Sequence, residues 1–213
     1  MSSTTPVNSL ARPSLSLEPD SPGQDLVVIS RDLEGYRFLA QTVTAPVEVL
    51  LLSPAQDGIA AILQMLMALP SIRCLHLVTP VHGEGLQLGN VALRYDTLPN
   101  YAKTLCQWRS RLAPRAEIWI YNGEMARTEA GKLLIDVLHH LTGAAIAACT
   151  AFPNAGFAAG RWEFDCTTAT LTPSLVLPLE LVKQCVAANR NRGKESSFVK
   201  ITDCSSDSDL TVI

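Results

Sequence analysis

An α/β fold, with a mainly parallel central sheet between two layers of helices, is predicted by three observations. Short, continuous apolar segments recur along the chain, and such runs are typical of parallel strands that are covered on both faces. Segments with hydrophobic residues at helical spacing separate these runs, as in successive βαβ units. The chain has 213 residues, 47% of them apolar and 17% charged, so it is long enough to bury one sizeable core.

The first half of the chain carries three of these strands. Continuous apolar runs predict buried strands over residues 26–30, 47–52 and 73–78. Two helices separate them and are predicted over residues 31–43 and 56–69. Pro70 is expected to end the second helix, because proline cannot continue the hydrogen-bonded backbone.

A small β-hairpin is predicted after the third strand. Residues 83–94 contain two short runs in which apolar residues alternate, and Gly89 and Asn90 stand between these runs. A glycine and an asparagine in that position are typical of a tight hairpin turn. The hairpin is therefore expected as an insertion beside the parallel sheet.

The second half of the chain continues the alternation. Helices are predicted over residues 97–112, 129–141 and 178–188. Strands are predicted over residues 117–121 and 144–148, and an edge strand over residues 161–166. Pro114 is expected to end the first of these helices, and Gly143 stands where a glycine commonly ends a helix.

The domain organisation follows from changes in composition. Residues 1–25 are rich in serine and proline, which predicts a disordered leader without the continuous apolar stretch of a secretory signal. Residues 26–188 are expected to form the α/β domain. Residues 189–213 are polar and are predicted to be a disordered tail.

The overall charge and hydropathy limit the classes of partner. The net charge is −3, and residues 189–194 form the one short basic run, which argues against nucleic acid as the main partner. The mean hydropathy is +0.18, yet no apolar run approaches the roughly 20 residues that span a bilayer. Exposed apolar area often marks a protein interface. The expected partner is therefore another protein or a second copy of this chain.

Six scattered cysteines, none of them in a CxxC pair, predict neither a disulfide framework nor a zinc site. They are Cys74, Cys106, Cys149, Cys166, Cys185 and Cys204. Buried thiols in a reducing compartment are expected, which indicates a cytoplasmic location. No cofactor and no metal are expected.

Candidate functional residues follow the third and fourth predicted strands, since ligands of parallel α/β sheets bind beyond the carboxyl ends of the strands. The first loop contains Pro80, His82, Gly83 and Glu84, and the second begins after Tyr121 and contains Asn122, Gly123 and Glu124. A histidine in one loop and a small-residue turn in the other are the layout of a Cys/His hydrolase, but the thiol is missing.

Several stretches of the chain resemble a known family. They are residues 75–78, 82–83, 86–90, 118–124, 141–144 and 160–164. Together they resemble the bacterial family called domain of unknown function 4347. The resemblance implies a fold like that of caspase and gingipain cysteine peptidases, in large and often cell-surface proteins.

The same resemblance implies a degenerate catalytic dyad. In the family pattern, Ser-His-Gly ends the third strand and Tyr-Gly-Cys-Asp ends the fourth. Here Tyr121 matches the tyrosine, Gly123 stands at the cysteine and Glu124 at the aspartate. Pro80 stands at the histidine, and His82 follows two positions later. The resemblance thus implies a protein that keeps the fold and has lost the nucleophile.

Other candidate groups have a structural as well as a functional interpretation. Cys149 could replace the nucleophile or lie in the core, and Glu84 with Glu124 could form a carboxylate pair or a solvated rim. His76 lies in an apolar strand and is expected to be a satisfied core histidine. The adjacent residues His139 and His140 point about 100° apart on a helix, so they are not expected to bind one metal ion together.

Three functions are compatible with these observations. The leading hypothesis is a non-catalytic protein-interaction or scaffold domain that binds through a sheet edge or through the former active-site rim. The alternatives are a cysteine hydrolase in which His82 acts with Cys149 or Glu124, and a sensor that binds a small ligand in the space left at Gly123.

Overall fold

A computed structural model of the protein describes residues 23–43, 45–83, 85–151, 164–171 and 176–189. The strands in this part of the chain are β1 (Gln24–Ser30), β2 (Glu48–Leu52), β3 (Ile72–Val78), β4 (Val81–His82), β5 (Gly85–Leu88), β6 (Val91–Leu93), β7 (Leu112–Tyr121), β8 (Ala145–Ala148) and β9 (Cys166–Thr167). The helices are α1 (Tyr36–Thr42), α2 (Gly58–Ala68), α3 (Ala102–Arg109), α4 (Glu129–Thr142) and α5 (179–189).

The main sheet has six strands in the order β2-β1-β3-β7-β8-β9. Its neighbouring strands are parallel except for β8 and β9, which pair antiparallel. The apolar runs predicted as buried strands occupy the centre of this sheet. An edge strand is present as β9, but it shares only Cys166 with the predicted span 161–166: Phe164 and Asp165 are not in a strand, and residues 161–163 lie outside the described part of the chain.

Helices cover both faces of the sheet and create two hydrophobic cores. One core contains apolar side chains from α2, α3 and α4, such as Ile62, Trp108 and Leu134. The other contains side chains from α1 and α5, such as Leu39 and Val186. The architecture is therefore a three-layer α/β sandwich with a mainly parallel sheet, which confirms the predicted fold class.

The predicted hairpin is present and is part of a larger unit. Strands β5 and β6 pair antiparallel about Gly89 and Asn90, and β4 adds a third strand. Gly89 has a φ of +62°, and a Cβ there would lie 2.1 Å from the carbonyl oxygen of Gln56. A glycine is therefore required where the hairpin turn meets the segment leading into α2.

Two helix predictions were wrong in their bounds. The helix predicted over 31–43 begins only at Tyr36, because Gly35 in the left-handed region (φ +77°) closes a turn before it. The helix predicted over 97–112 is α3, preceded by a 3₁₀ turn over Leu98–Asn100. Pro114 does not end a helix, since it lies inside β7 where the register with β3 shifts. Proline is tolerated at such an irregularity because a ladder bond is already missing there.

The other helices follow the prediction. The Thr128 side chain accepts a hydrogen bond from Gly131 N at the start of α4, and Gly143 ends that helix with a φ of +70°. Residues 179–189 are helical, as predicted for 178–188. The predicted leader and tail, residues 1–25 and 189–213, lie almost wholly outside the described residues, and β1 already begins at Gln24.

Two further expectations concern thiols and membranes. Cys74, Cys149 and Cys185 are buried, but Cys106 is exposed on α3, so the expectation of buried thiols was wrong for that residue. The solvent-facing side of a short amphipathic helix carries it outward. Within the described ranges, no helix has the length and apolar character required to cross a bilayer.

Candidate functional site

The loops that follow β3 and β7 start side by side. The last residues of the two strands, Val78 and Tyr121, are partners in the parallel register. Thr79 and Asn122 therefore leave the same edge of the sheet. This is the edge at which parallel α/β sheets place their ligands.

Asn122 has a structural role at this edge. It is buried, and its Nδ2 donates a hydrogen bond to the Gly85 carbonyl oxygen at 3.2 Å. Its Oδ1 accepts hydrogen bonds from the backbone N–H groups of Glu124 at 3.3 Å and Met125 at 3.0 Å. The side chain thus closes the turn after β7 and ties this turn to the hairpin.

Gly123, at the position where the resemblance places a nucleophile, has a φ of +82°. This left-handed conformation costs a residue with a Cβ roughly 1–2 kcal/mol. A glycine suits the turn that Asn122 caps. The position therefore carries no reactive group and has a conformation that glycine adopts without strain.

His82, at the end of β4, is half-buried and faces a cation. Its Nε2 lies 3.2 Å from a guanidinium nitrogen of Arg94. Burial lowers the pKa of His82, and the positive charge of Arg94 lowers it further. A neutral ring therefore accepts a hydrogen bond from Arg94 through Nε2, which occupies the lone pair a general base would use.

The remaining loop residues are also engaged or outside the described residues. The Glu124 carboxylate forms an ion pair with Arg127 at 3.6 Å across one turn of backbone. Pro80 is buried two residues after the end of β3, and Gly83 turns the chain with a φ of +55°. Glu84 lies outside the described residues, so the Glu84–Glu124 pair stays a prediction.

Cys149 lies in the hydrophobic core. The residue follows β8, is fully buried and belongs to the cluster that contains Trp119 and Tyr121. Its carbonyl oxygen accepts a hydrogen bond from Ala126 N at 3.1 Å, which ties the end of β8 to the turn after β7. The structure therefore supports the interpretation of Cys149 as a core residue. His82, its partner in the hydrolase hypothesis, contacts Arg94.

The two adjacent histidines on α4 contact different backbone groups. His139 Nδ1 lies 2.7 Å from the Ala144 carbonyl oxygen, and His140 Nδ1 lies 2.7 Å from the Asp136 carbonyl oxygen. With these contacts the planes of the two rings make an angle of 79°, and their centroids are 5.4 Å apart. Each histidine thus acts in the local structure of the C-terminal half of α4.

A polar cluster that sequence reasoning missed lies near the start of the central strands. Asp25, Cys74 and His76 are buried, and one potential ligand atom from each lies within 4.8 Å of the others. His76 was expected to be a satisfied core histidine, which is correct for one ring nitrogen and wrong for the other: Nδ1 contacts the Tyr121 hydroxyl at 3.0 Å, but Nε2 has no hydrogen-bond partner among the described residues. Alternation along β3 places Cys74 and His76 on one face, but the register that brings Asp25 beside them is not visible in a sequence.

The three-layer architecture defines this chain as an α/β domain with a mainly parallel sheet. Within that class the chain belongs to the family described as domain of unknown function DUF4347, whose model matches residues 26–185. This match confirms the family resemblance. A search of curated proteins and a search of solved structures each found no match.

Proposed function

We propose that this domain is a non-catalytic protein-interaction module that pairs with an extended segment of another protein along the outer edge of β2. The chain would be a relative of cysteine peptidases that has kept the fold and lost the dyad. The observation that carries this proposal is the edge strand β2, which has one strand partner among the described residues and lies beside exposed apolar side chains.

The edge strand β2 has the features of a strand-pairing surface. Within the part of the chain that the structure describes, β2 pairs with β1 and with no other strand. A row of backbone N–H and C=O groups on its outer side is therefore open to an added strand. Leu51 on this strand is 39% exposed, and Phe38 on the neighbouring helix α1 is 61% exposed.

The groove beside β2 favours a partner with carboxylate groups. It is lined by Leu51 together with Arg31, Tyr36 and Arg37. The two guanidinium groups lie 5.9 Å and 5.7 Å from the centre of the Tyr36 ring. Positive charge beside an apolar strand edge fits an extended segment that carries both apolar and acidic side chains.

The geometry at the ends of β3 and β7 supports the non-catalytic part of the proposal. Asn122 and Gly123 build a turn, and His82 accepts a hydrogen bond from Arg94. These residues serve the local structure. A general base requires a proton donor within about 3 Å, and Gly123 cannot supply one.

The test is a pull-down of the tagged full chain from its native host, followed by size-exclusion chromatography with light scattering. We expect one partner at fixed stoichiometry with the unmodified chain. Leu51→Asp should reduce recovery by about tenfold or more, because a carboxylate replaces an apolar contact and repels an acidic segment. Leu133→Asp is the matched control, since Leu133 is 46% exposed on α4, at the other end of the sheet.

Two outcomes would contradict the proposal. A monomer without any partner would reject the interaction function. Equal recovery with Leu51→Asp and Leu133→Asp would show that the partner does not use β2, and the former active-site rim would then be the surface to vary.

The sensor alternative also has one observation in its favour. Thr79 is buried directly after β3, and its Oγ1 has no hydrogen-bond partner in the described residues. A small polar ligand at this edge of the sheet could satisfy that hydroxyl. A ligand-dependent rise in thermal stability that Thr79→Val abolishes would support this alternative.

A further inference from the structure

A row of polar residues crosses three neighbouring strands near the end of the sheet at which the strands begin. In the strand register, Asp25 of β1 lies opposite Cys74 of β3, and Cys74 lies opposite Glu117 of β7. His76 follows Cys74 by two residues, so both side chains are on the same face of the sheet. The row lies towards the start of the strands, whereas Gly123 follows the carboxyl end of β7.

The His76 ring is the observation that points to a ligand. It is fully buried, and its Nδ1 lies 3.0 Å from the Tyr121 hydroxyl oxygen. Its Nε2 has no hydrogen-bond partner in the part of the chain that the structure describes. A buried polar atom without a partner costs about 1–3 kcal/mol. Because Tyr121 engages Nδ1, Nε2 is the nitrogen that a bound ion would take.

Charged and polar neighbours surround the other two side chains. Arg73 Nη2 donates to both carboxylate oxygens of Asp25 at 3.0 Å, which leaves further lone pairs on each oxygen. Cys74 Sγ lies 4.0 Å from Glu117 Oε2, and this same oxygen accepts a hydrogen bond from Trp119 Nε1 at 3.0 Å. Outer contacts of this kind orient metal ligands.

We propose that Asp25, Cys74 and His76 bind one divalent transition-metal ion of the zinc class. The ligands are a carboxylate oxygen, the thiolate sulfur and imidazole Nε2, with a water molecule at the fourth position. Sulfur, nitrogen and oxygen donors together select zinc-like ions over magnesium or calcium, which prefer oxygen donors alone.

The imidazole already has the form that metals bind, whereas the thiol must lose its proton when the ion binds. Burial lowers the pKa of His76 to about 4, so the ring is in the neutral form that metals bind. Burial, with the Asp25 charge, raises the pKa of Cys74 to about 12, so the thiol carries its proton until an ion arrives. Coordination replaces the S–H bond with a metal–sulfur bond, and the proton passes to the buffer.

Binding requires a small movement. Bonds of about 2.0–2.3 Å in a tetrahedral site place ligand atoms roughly 3.3–3.8 Å apart. One potential ligand atom from each residue lies within 4.8 Å of the others, so the distances between ligand atoms must shorten by up to about 1.5 Å. The proposal departs from the sequence-based expectation of no metal, because scattered residues meet here through strand register.

The test is a titration of the chelator-treated full chain with Co²⁺, an optical substitute for Zn²⁺. We expect one Co²⁺ per chain, with a thiolate-to-cobalt charge-transfer band in the near ultraviolet that Zn²⁺ abolishes by displacement. Cys74→Ser should remove the band and weaken affinity by about tenfold or more. Cys106→Ser is the matched control, because that thiol is exposed and outside the cluster, and it should bind as the unmodified chain does.

A second pair of variants tests the site in case Cys74→Ser does not fold. Circular dichroism establishes which variants are folded. Asp25→Asn should weaken Co²⁺ binding by about tenfold and keep the thiolate band. His140→Gln should change neither property, which separates the cluster from surface histidines. The proposal is overturned if the folded chain binds no Co²⁺ at one equivalent, binds it without the band, or binds it equally well in Asp25→Asn or Cys74→Ser.

Discussion

Acidification should destabilise the metal-free protein through His76. Burial lowers the pKa of His76 from an ordinary value of 6.5 to about 4. Below the ordinary value the unfolded chain takes up a proton on this ring, whereas the folded protein does not. The unfolded state then binds more protons, so the free energy of unfolding decreases as the pH falls. The free energy of unfolding keeps its full value above about pH 6.5 and decreases progressively as the pH falls towards 4.

The magnitude follows from the two pKa values. Each pKa unit corresponds to about 1.4 kcal/mol, so a fall from 6.5 to about 4 gives a total of roughly 3 kcal/mol. Between about pH 7 and pH 5 the loss is about 2 kcal/mol, because the unfolded ring is then almost fully protonated and the folded ring is not. The ring is fully buried, so solvent does not screen this effect.

Urea denaturation at about pH 7 and pH 5, with a chelator present, measures this loss. His76→Gln removes the titrating ring and keeps a hydrogen-bonding group near Tyr121, so the pH dependence of its stability should be smaller by about 2 kcal/mol. His140→Gln leaves the buried ring in place and should retain the original pH dependence. An equal loss of stability in the unmodified chain and in His76→Gln would refute the reasoning.

Two further predictions concern packing and thiol reactivity. Gly58→Ala should destabilise the fold by about 1–3 kcal/mol in urea denaturation, because the new Cβ would lie 2.4 Å from the Leu88 carbonyl oxygen. The control is Gln64→Ala at an exposed position of the same helix, which should change the free energy of unfolding by less than about 0.5 kcal/mol. Equal effects of the two substitutions would contradict the close contact at Gly58. Iodoacetamide should label the exposed Cys106 before the buried Cys149, which should react only on unfolding, as followed by peptide mass spectrometry. Labelling of Cys149 faster than Cys106 would favour the hydrolase alternative.

The positions of the main elements could be predicted because their signals are local. The apolar run at residues 26–30 requires burial on both faces, and the spacing of Ile59, Ile62 and Leu66 requires one buried helix face. These side chains are buried as the spacing indicates. The helix bounds near Gly35 and Pro114 were wrong, because a left-handed turn and a strand irregularity depend on the backbone that surrounds them.

The candidate loops could likewise be placed from the sequence. Polar residues that follow two successive strands of a parallel sheet are expected at one edge, and Val78 and Tyr121 are indeed register partners. The partners of the loop residues could not be predicted in this way. That Asn122 bonds to Gly85 and His82 to Arg94 depends on how the hairpin folds over the sheet.

By itself the sequence determined the α/β class, the order of strands and helices along the chain, and the family, because hydrophobic periodicity and local motifs carry that information. The tertiary structure alone decided the edge position of β2 and the meeting of Asp25, Cys74 and His76. Strand order and register are set by packing between segments distant in the chain, and a shift of one residue would turn Asp25 to the other face of the sheet.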